Sequence, residues 1–333
     1  MTAPRPFRWG VIAPGRIAHN FARALSVIDD AELAGVASRQ PERAESFAGD
    51  YRRDHPGVQV YPDYDALIQA PDIDAVYIAN PHRFHAEWVR ACLHAGKPVL
   101  CEKPLAVTAR EAAELFRLAQ ANRVFLMEAL WSRFLPVWQD VRHWLRAGAI
   151  GPVHTVQSSF CFRVPFNPAD RLWDIHQAGG VTLDMGVYPI ALSNFIFERG
   201  PDRVQAAVLK GATDVDVRTS ALLHYGEAVS AFTASFLAGR DNSLRIEGEG
   251  GVIDVDGPFW ASTRATLTPL DGEPVRADHP HRMNGFEYQI EAAMADIRAG
   301  HLQNDVIPWA DTLTTARVID QILAEGGVVY PFL

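Results

Sequence analysis

Cysteine is scarce in this chain, long apolar runs are missing, and no block of basic residues occurs. The three cysteines, Cys92, Cys101 and Cys161, are odd in number and lack the paired spacing of a metal site. Buried thiols in a reducing compartment are expected, in place of a disulfide framework or a zinc site. No run of 18 apolar residues is found, and Met1–Pro6 leads into a strand without an apolar signal segment. Both point to a cytoplasmic protein with no membrane partner. Lys and Arg number 31 against 40 Asp and Glu, a formal charge of -9. With the cations dispersed, nucleic acid and anionic membranes are not expected partners. Internal repeats and low-complexity segments are also missing.

What is present is enough apolar material, 48% of 333 residues, for a large core and about two domains. Up to about Glu128, short apolar runs alternate with helical patterns. Strands are expected at Arg8–Ala13, Glu32–Ala37, Ala75–Ile78, Pro98–Cys101 and Val124–Glu128. Helices are expected over Ile17–Ile28, Pro41–Tyr51, His85–Ala95 and Thr108–Ala121. This β-α-β alternation predicts an α/β domain with a doubly wound parallel sheet over residues 1–126. Beyond it a helix near Pro136–Ala147 precedes longer strand-like runs at Val153–Phe162, Arg203–Lys210, Val217–Tyr225 and Ala228–Ala238. Two amphipathic helices, Gly285–Ala299 and Pro308–Glu325, close the chain. Residues 127–333 are therefore expected to form an α+β domain on a large, mostly antiparallel sheet.

Between the first strand and first helix lies Gly10-Val11-Ile12-Ala13-Pro14-Gly15-Arg16-Ile17-Ala18, where a Rossmann unit carries G-x-G-x-x-G/A. Ala13, Gly15 and Ala18 hold the three fingerprint positions. Gly15 lets backbone approach a pyrophosphate, and the following helix N-terminus favours an anion. Alanine at the first position weakens the match, and a tight turn without a ligand is the competing reading. The second strand ends in Ser38-Arg39, with Arg43 one helical turn on. No carboxylate stands where NAD-specific domains place one for the ribose 2′-hydroxyl. A serine and guanidinium groups suit a 2′-phosphate, so NADP is expected over NAD, against the alternative of solvated loop arginines.

The stretch Gly96-Lys97-Pro98-Val99-Leu100-Cys101-Glu102-Lys103-Pro104 reads as a helix C-cap, a buried strand and a turn at its carboxyl end, the edge at which open α/β sheets bind ligands. Ala79-Asn80-Pro81 and His85 follow the Ala75–Ile78 strand to the same edge. Later, Gly179-Gly180 leads into Asp184-Met185-Gly186-Val187-Tyr188. Asp184 and Tyr188 are four apart, on one face if helical. His82 with His85, and His279 with His281, lack a third ligand at metal spacing, so no metal is expected.

These motifs together resemble the glucose-fructose oxidoreductase and inositol dehydrogenase family of two-domain NAD(P)-dependent oxidoreductases. Met127-Glu128-Ala129-Leu130-Trp131-Ser132-Arg133-Phe134-Leu135-Pro136 is most similar to its branch of dihydrodiol and sugar dehydrogenases. The resemblance implies cofactor contacts from Gly15, Arg16, Ile17, Asn80, Pro81, His85, Glu102, Lys103, Trp131 and Arg133. It implies a preference for NADP, in agreement with Ser38, Arg39 and Arg43. It also sets Asp184 and Tyr188 opposite Lys103, with Arg171 and Trp173 on the substrate side. For Trp131, Arg171 and Trp173, ordinary packing or a loop salt bridge is the competing reading.

The expected reaction is hydride transfer between NADP(H) and a secondary alcohol or carbonyl of a sugar, polyol or trans-dihydrodiol. Tyr188 acts as general acid/base, Lys103 as a fixed positive charge and Asp184 as an orienting group. A phenol of pKa about 10 needs such a neighbouring cation to work near neutrality. The resemblance implies a homodimer or higher homo-oligomer through the second sheet. The alternative is a non-catalytic NAD(P)-sensing regulator of the same fold.

Overall fold

Short apolar segments buried on both faces give the chain its first sheet. The computed structural model describes residues 5–333. Strands β1 (Phe7–Ile12), β2 (Ala31–Ala37), β3 (Gln59–Tyr61), β4 (Ala75–Ile78), β5 (Val99–Glu102) and β6 (Leu126–Ala129) are all parallel, in the order β3-β2-β1-β4-β5-β6. Every residue of β4, β5 and β6 is buried, as a sheet covered on two sides requires. The crossovers carry α1 (Arg16–Leu25), α2 (Pro41–Tyr51), α3 (Tyr64–Gln69), α4 (His85–His94) and α5 (Ala109–Asn122). Strand order reverses between β1 and β4, so the carboxyl ends of these strands border a crevice.

Helix α4 ends as its sequence demands. Gly96 takes φ +70°, its N–H donates to Leu93 O at 3.2 Å, and Lys97 N–H donates to Cys92 O at 2.8 Å. This is the paired C-terminal capping pattern that favours glycine. The Lys97 ammonium then reaches Ala70 O and Ile73 O at 2.8 and 2.6 Å, tying the start of β5 to the chain entering β4.

The second sheet is built from β7 (Val153–Cys161), β8 (Arg203–Lys210), β9 (Asp216–Tyr225), β10 (Ala228–Ser235), β11 (Leu244–Gly248), β12 (Gly251–Val255), β13 (Arg264–Pro269) and β14 (Val275–Asp278), with α6 (Pro136–Arg146) and α7 (Val187–Phe197) beside it. Its order is β14-β13-β12-β11-β7-β10-β9-β8. All pairs are antiparallel except β7 with β10. Side chains from Val187 to Ile196 are all buried, and Ser193 and Asn194 of α7 bond Ser230 and Tyr225 of the sheet. One stretch, Ile175–Phe197, is long and apolar enough by composition to cross a membrane, but 89% of it is buried inside this unit, as in a core helix. The sheet face carrying Gln157, Gln205, Ser220, Leu222, Ala231 and Thr233 forms an open groove of about 550 Å³.

Short elements escape the sequence reading. β3, α3 and β11–β14 span only three to six residues each, too few for a periodic signal. The compact units also interleave along the chain. The first holds residues up to Ala106, Arg110–Trp131 and His281–Trp309; the second holds Val107–Ala109, Ser132–Pro280 and Ala310–Leu333. A sequence boundary after residue 126 does not show this return. Helix α8 (Phe286–Ala299) lies in the returning segment, which is fastened to the first unit by Asn284 Nδ2 on Asn20 O at 2.9 Å, Arg298 on Asp30 at 2.6 Å and Leu126 N on Leu302 O at 3.0 Å. The last helix is α9 (Trp309–Glu325).

Candidate active site

At the end of β1 the chain turns sharply. Ala13 adopts φ +60°, a conformation that costs a non-glycine residue about 1–2 kcal/mol, and its N–H donates to Ala37 O at 3.0 Å. The first fingerprint position thus keeps the geometry for which glycine is usual, although the residue is alanine. Gly15 caps α1 without a side-chain bond, and no acidic residue stands in the first turn. A Cβ on Gly15 would meet only Ala13 O, at 3.9 Å, so this backbone is bare for reasons other than packing. The exposed Gly15 and Arg16 and half-buried Ile17 therefore surround a helix N-terminus with free donors. At the end of β2 the Ser38 hydroxyl is buried and accepts from Gln40 N at 3.1 Å, while Arg39 and Arg43 are exposed.

Beyond β4, Asn80 is buried with its Oδ1 lacking any hydrogen-bond partner, and Pro81 begins a short 3₁₀ turn, His82–Phe84. His85 is wholly buried, with Nδ1 at 2.7 Å from Pro104 O and Nε2 at 2.8 Å from Asn80 O. Burial pushes the ring down to about 3, helped by His82 and Lys103 and opposed by the two carbonyls. His85 thus joins the Asn80-Pro81 turn to the Glu102-Lys103-Pro104 turn, and it presents no exposed edge to a cofactor. Its partner histidine, His82, packs edge-on at 5.8 Å. Among the described residues no group of three or more His, Cys, Asp or Glu could hold a metal ion.

The Glu-Lys-Pro turn is braced from below. Tyr77 of β4 donates its hydroxyl to Glu102 Oε1 at 2.6 Å, and Phe21 of α1 stacks on the Tyr77 ring at 4.0 Å. Glu128 of β6 accepts from Leu105 N at 2.9 Å. The half-buried Lys103 is thereby carried at the carboxyl edge of β5 on a turn anchored by two buried carboxylates. Trp131, 9% exposed, closes this unit by packing edge-on to Phe286 of α8 at 4.9 Å.

In the second unit a π-helical turn, Thr182–Gly186, runs into α7 and carries Asp184 and Tyr188. Its start is capped from β9. Asp216, fully buried, accepts from Thr182 N at 2.6 Å, and burial raises its pKa. Gly180 has φ +120°, and a Cβ there would lie 2.0 Å from Asp216 Oδ1; one on Gly179 would lie 2.6 Å from Arg171 O. Tyr330 donates to Gly179 O at 3.1 Å. The double glycine is a tightly packed crossing that only glycine fits.

Asp184 Oδ1 accepts from Arg171 Nη2 at 3.1 Å, so two expected substrate residues do meet. Arg171 begins a 3₁₀ turn capped by Asp170, and Asp174 caps the next. Trp173, 4% exposed, packs between Phe166 and Phe236 at 5.1 and 5.6 Å. Its contacts are those of packing. Arg133, 1% exposed, donates to Asp311 at 2.6 Å and Ala191 O at 3.0 Å and lies over the Phe195 ring. These contacts make it a buried strut of the second unit.

Sequence reasoning missed an aromatic wall beside Tyr188. The Tyr188 ring lies 5.5 Å from Phe160 and 6.4 Å from Trp260, and Trp260 stacks on Phe160 at 3.5 Å. Phe162, 44% exposed, meets Trp260 edge-on. Ser132 Oγ on Trp260 O and Trp138 Nε1 on Phe259 O, at 2.5 and 2.9 Å, hold the turn that carries Trp260. Alternation of Phe160 and Phe162 was a signal, but nothing in sequence brings residue 260 to them.

Residues 7–130 match the model of an oxidoreductase family with an NAD-binding Rossmann fold, and residues 138–254 match the GFO/IDH/MocA C-terminal domain. A trans-1,2-dihydrobenzene-1,2-diol dehydrogenase from Xenopus laevis is 32% identical over 336 residues, covering 97% of this chain and 99% of that one. The chain belongs to the GFO/IDH/MocA oxidoreductase family. The dehydrogenase of the same name from Mus musculus is 33% identical over 333 residues, covering 97% and 98%. A 3-ketoreductase from Actinomadura kijaniata, solved with NADP and TDP-benzene, superposes with a TM-score of 0.83 at 27% identity, covering 96% and 98%. As a member of this family the protein is an NAD(P)-dependent oxidoreductase. The geometry of its first unit is compatible with a dinucleotide: the N-terminus of α1 is uncapped, the backbone at Gly15 is open and Asn80 Oδ1 lacks a partner, features that suit a phosphate and polar ligand groups.

Proposed function

We propose that this GFO/IDH/MocA oxidoreductase transfers a hydride between NADP(H) and a secondary alcohol or carbonyl of a sugar, polyol or trans-dihydrodiol. The observation that carries the reading is the setting of Tyr188, whose ring adjoins the Phe160–Trp260 stack and whose helix bears the Arg171-held Asp184. An aromatic wall suits the flat face of a ring, and an ion-paired carboxylate suits vicinal hydroxyls. NADP is favoured by the serine and arginines that end β2.

When bound, the nicotinamide would supply or accept the hydride. In the oxidation direction Tyr188 takes the hydroxyl proton, and in reduction it returns a proton to the carbonyl oxygen. Lys103 holds positive charge toward the oxygen that becomes negative. Asp184, held by Arg171, accepts from substrate hydroxyls and fixes their orientation. Asn80 and the start of α1 would hold the dinucleotide, with Glu102, Trp131 and Pro81 beside it.

Following cofactor absorbance with NADP and a panel of aldoses, inositols and aromatic trans-dihydrodiols tests this directly. Turnover with at least one class is expected; tight NADP binding without turnover on any would favour a sensor. The open face of β7–β10, with Leu209 and Leu222 exposed, supports a homodimer or higher homo-oligomer through that sheet. Light scattering showing only a 36.8 kDa species at micromolar concentration would remove it. Three buried free thiols support a cytoplasmic setting.

A further inference from the structure

We propose that Phe84 and Arg83, which no sequence motif singled out, complete the pocket that selects NADP over NAD. Phe84 acts as a positioning residue for the Arg39 guanidinium, and Arg83 brings a second cation to the same ring. The proposal rests on the reading of Ser38 and Arg39 as the 2′-phosphate end of the cofactor site.

Sheet order places the carboxyl ends of β2 and β4 on either side of β1. Ser38-Arg39 and the His82–Phe84 turn therefore reach the same edge from two directions, flanking the turn that leads into α1. They meet there. Arg39 Cζ lies 5.3 Å from the centroid of the Phe84 ring, and Arg83 Cζ lies 5.5 Å from that same centroid. Both arginines are exposed, while Phe84 is half-buried and so held by the fold.

An exposed arginine must surrender rotamer freedom before it can grip a phosphate, and stacking on a fixed ring removes part of that cost in advance. A phosphate dianion placed beside this ring meets the Arg39 guanidinium already positioned, with Arg83 at the same ring. Among the described residues Arg39 and Arg43 form no ion pair with a carboxylate. Their charge is available to a ligand, although Glu42 lies beside Arg43 in the first turn of α2. NAD, with a 2′-hydroxyl, gains nothing from this arrangement, so the effect appears in the ratio of the two affinities.

The test is a fluorescence titration of the full chain with NADP, NAD and 2′,5′-ADP. Phe84→Leu keeps apolar volume but loses the π face, and it is expected to raise the Kd for NADP and 2′,5′-ADP about threefold to tenfold. The Kd for NAD is expected to stay within about twofold. Arg83→Gln should act the same way, with the urea midpoint of each variant measured beside the Kd, and Phe84→Trp should keep the wild-type ratio. Equal weakening toward both cofactors, or an unchanged ratio in Phe84→Leu and Arg83→Gln, overturns the proposal. A wild-type protein that binds NAD as tightly as NADP overturns the underlying reading, and that result is seen before any variant is made.

Discussion

At the turn between β1 and α1 the groups open to a ligand are backbone amides, left bare by Gly15 and by an uncapped helix. Around Tyr188 they are side chains, held by a buried carboxylate, a glycine crossing and stacked aromatics. A backbone site needs only a short local segment and tolerates one imperfect residue, as Ala13 at φ +60° shows. A side-chain site depends on partners far off in sequence, so its loss can come from residues that touch no ligand.

The sharpest way to break this contrast is at Tyr188, the proposed acid/base, and at Lys103, its proposed cationic neighbour. Tyr188→Phe and Lys103→Met should each lower turnover by roughly two orders of magnitude or more, with NADP affinity changed far less. Steady-state kinetics beside a binding titration checks it, and near-normal turnover in either variant takes that residue out of the mechanism. Next comes the crossing beneath Tyr188. Gly180→Ala puts a methyl onto Asp216 at a left-handed φ and should cost roughly 2–4 kcal/mol of stability, read as a fall in urea midpoint. An unchanged midpoint would mean that the Asp216 cap can move aside.

His85 offers a pH readout. Its folded pKa is pushed below the ordinary 6.5 to about 3, so between these values the unfolded chain binds the proton and the folded one does not. Its contribution to stability is full above about 6.5 and declines as pH falls toward 3. Urea unfolding from pH 7 to pH 5 should therefore show a shallower loss in His85→Gln than in wild type; parallel losses would refute the role of the ring. The smallest effect is expected at the backbone site. Ala13→Gly relieves a left-handed alanine and should add up to about 1 kcal/mol, net of the entropy glycine costs the folded state. A loss of stability would show that the Ala13 methyl contributes packing that outweighs its strain.

Local patterns carried much of this. The apolar runs of β1, β2, β4 and β5, the C-cap at Gly96, the Glu102-Lys103-Pro104 turn and the missing carboxylate after β2 each lie within a few consecutive residues. Periodicity and residue type alone mark them. The same information gave Asp184 and Tyr188 one helix face, and the π turn between them preserves their common helix.

Other features were decided by the tertiary structure, because they depend on contacts that sequence spacing does not encode. Arg133 looked like a cofactor contact within its motif, yet its partners are Asp311 and Ala191, distant in the chain. Gly179-Gly180 is required to be glycine by Asp216 and the Arg171 carbonyl, which fill the space beside it. Trp260 joined Phe160, and Phe84 received Arg39, only because the sheets bring separate loops to one edge. Sequence by itself determined the longer apolar strands and helices, the turns of its motifs and the chemical groups they bear. Packing determined which of those groups are spent on one another and which stay open to a ligand, since burial and close approach are properties of the folded chain alone.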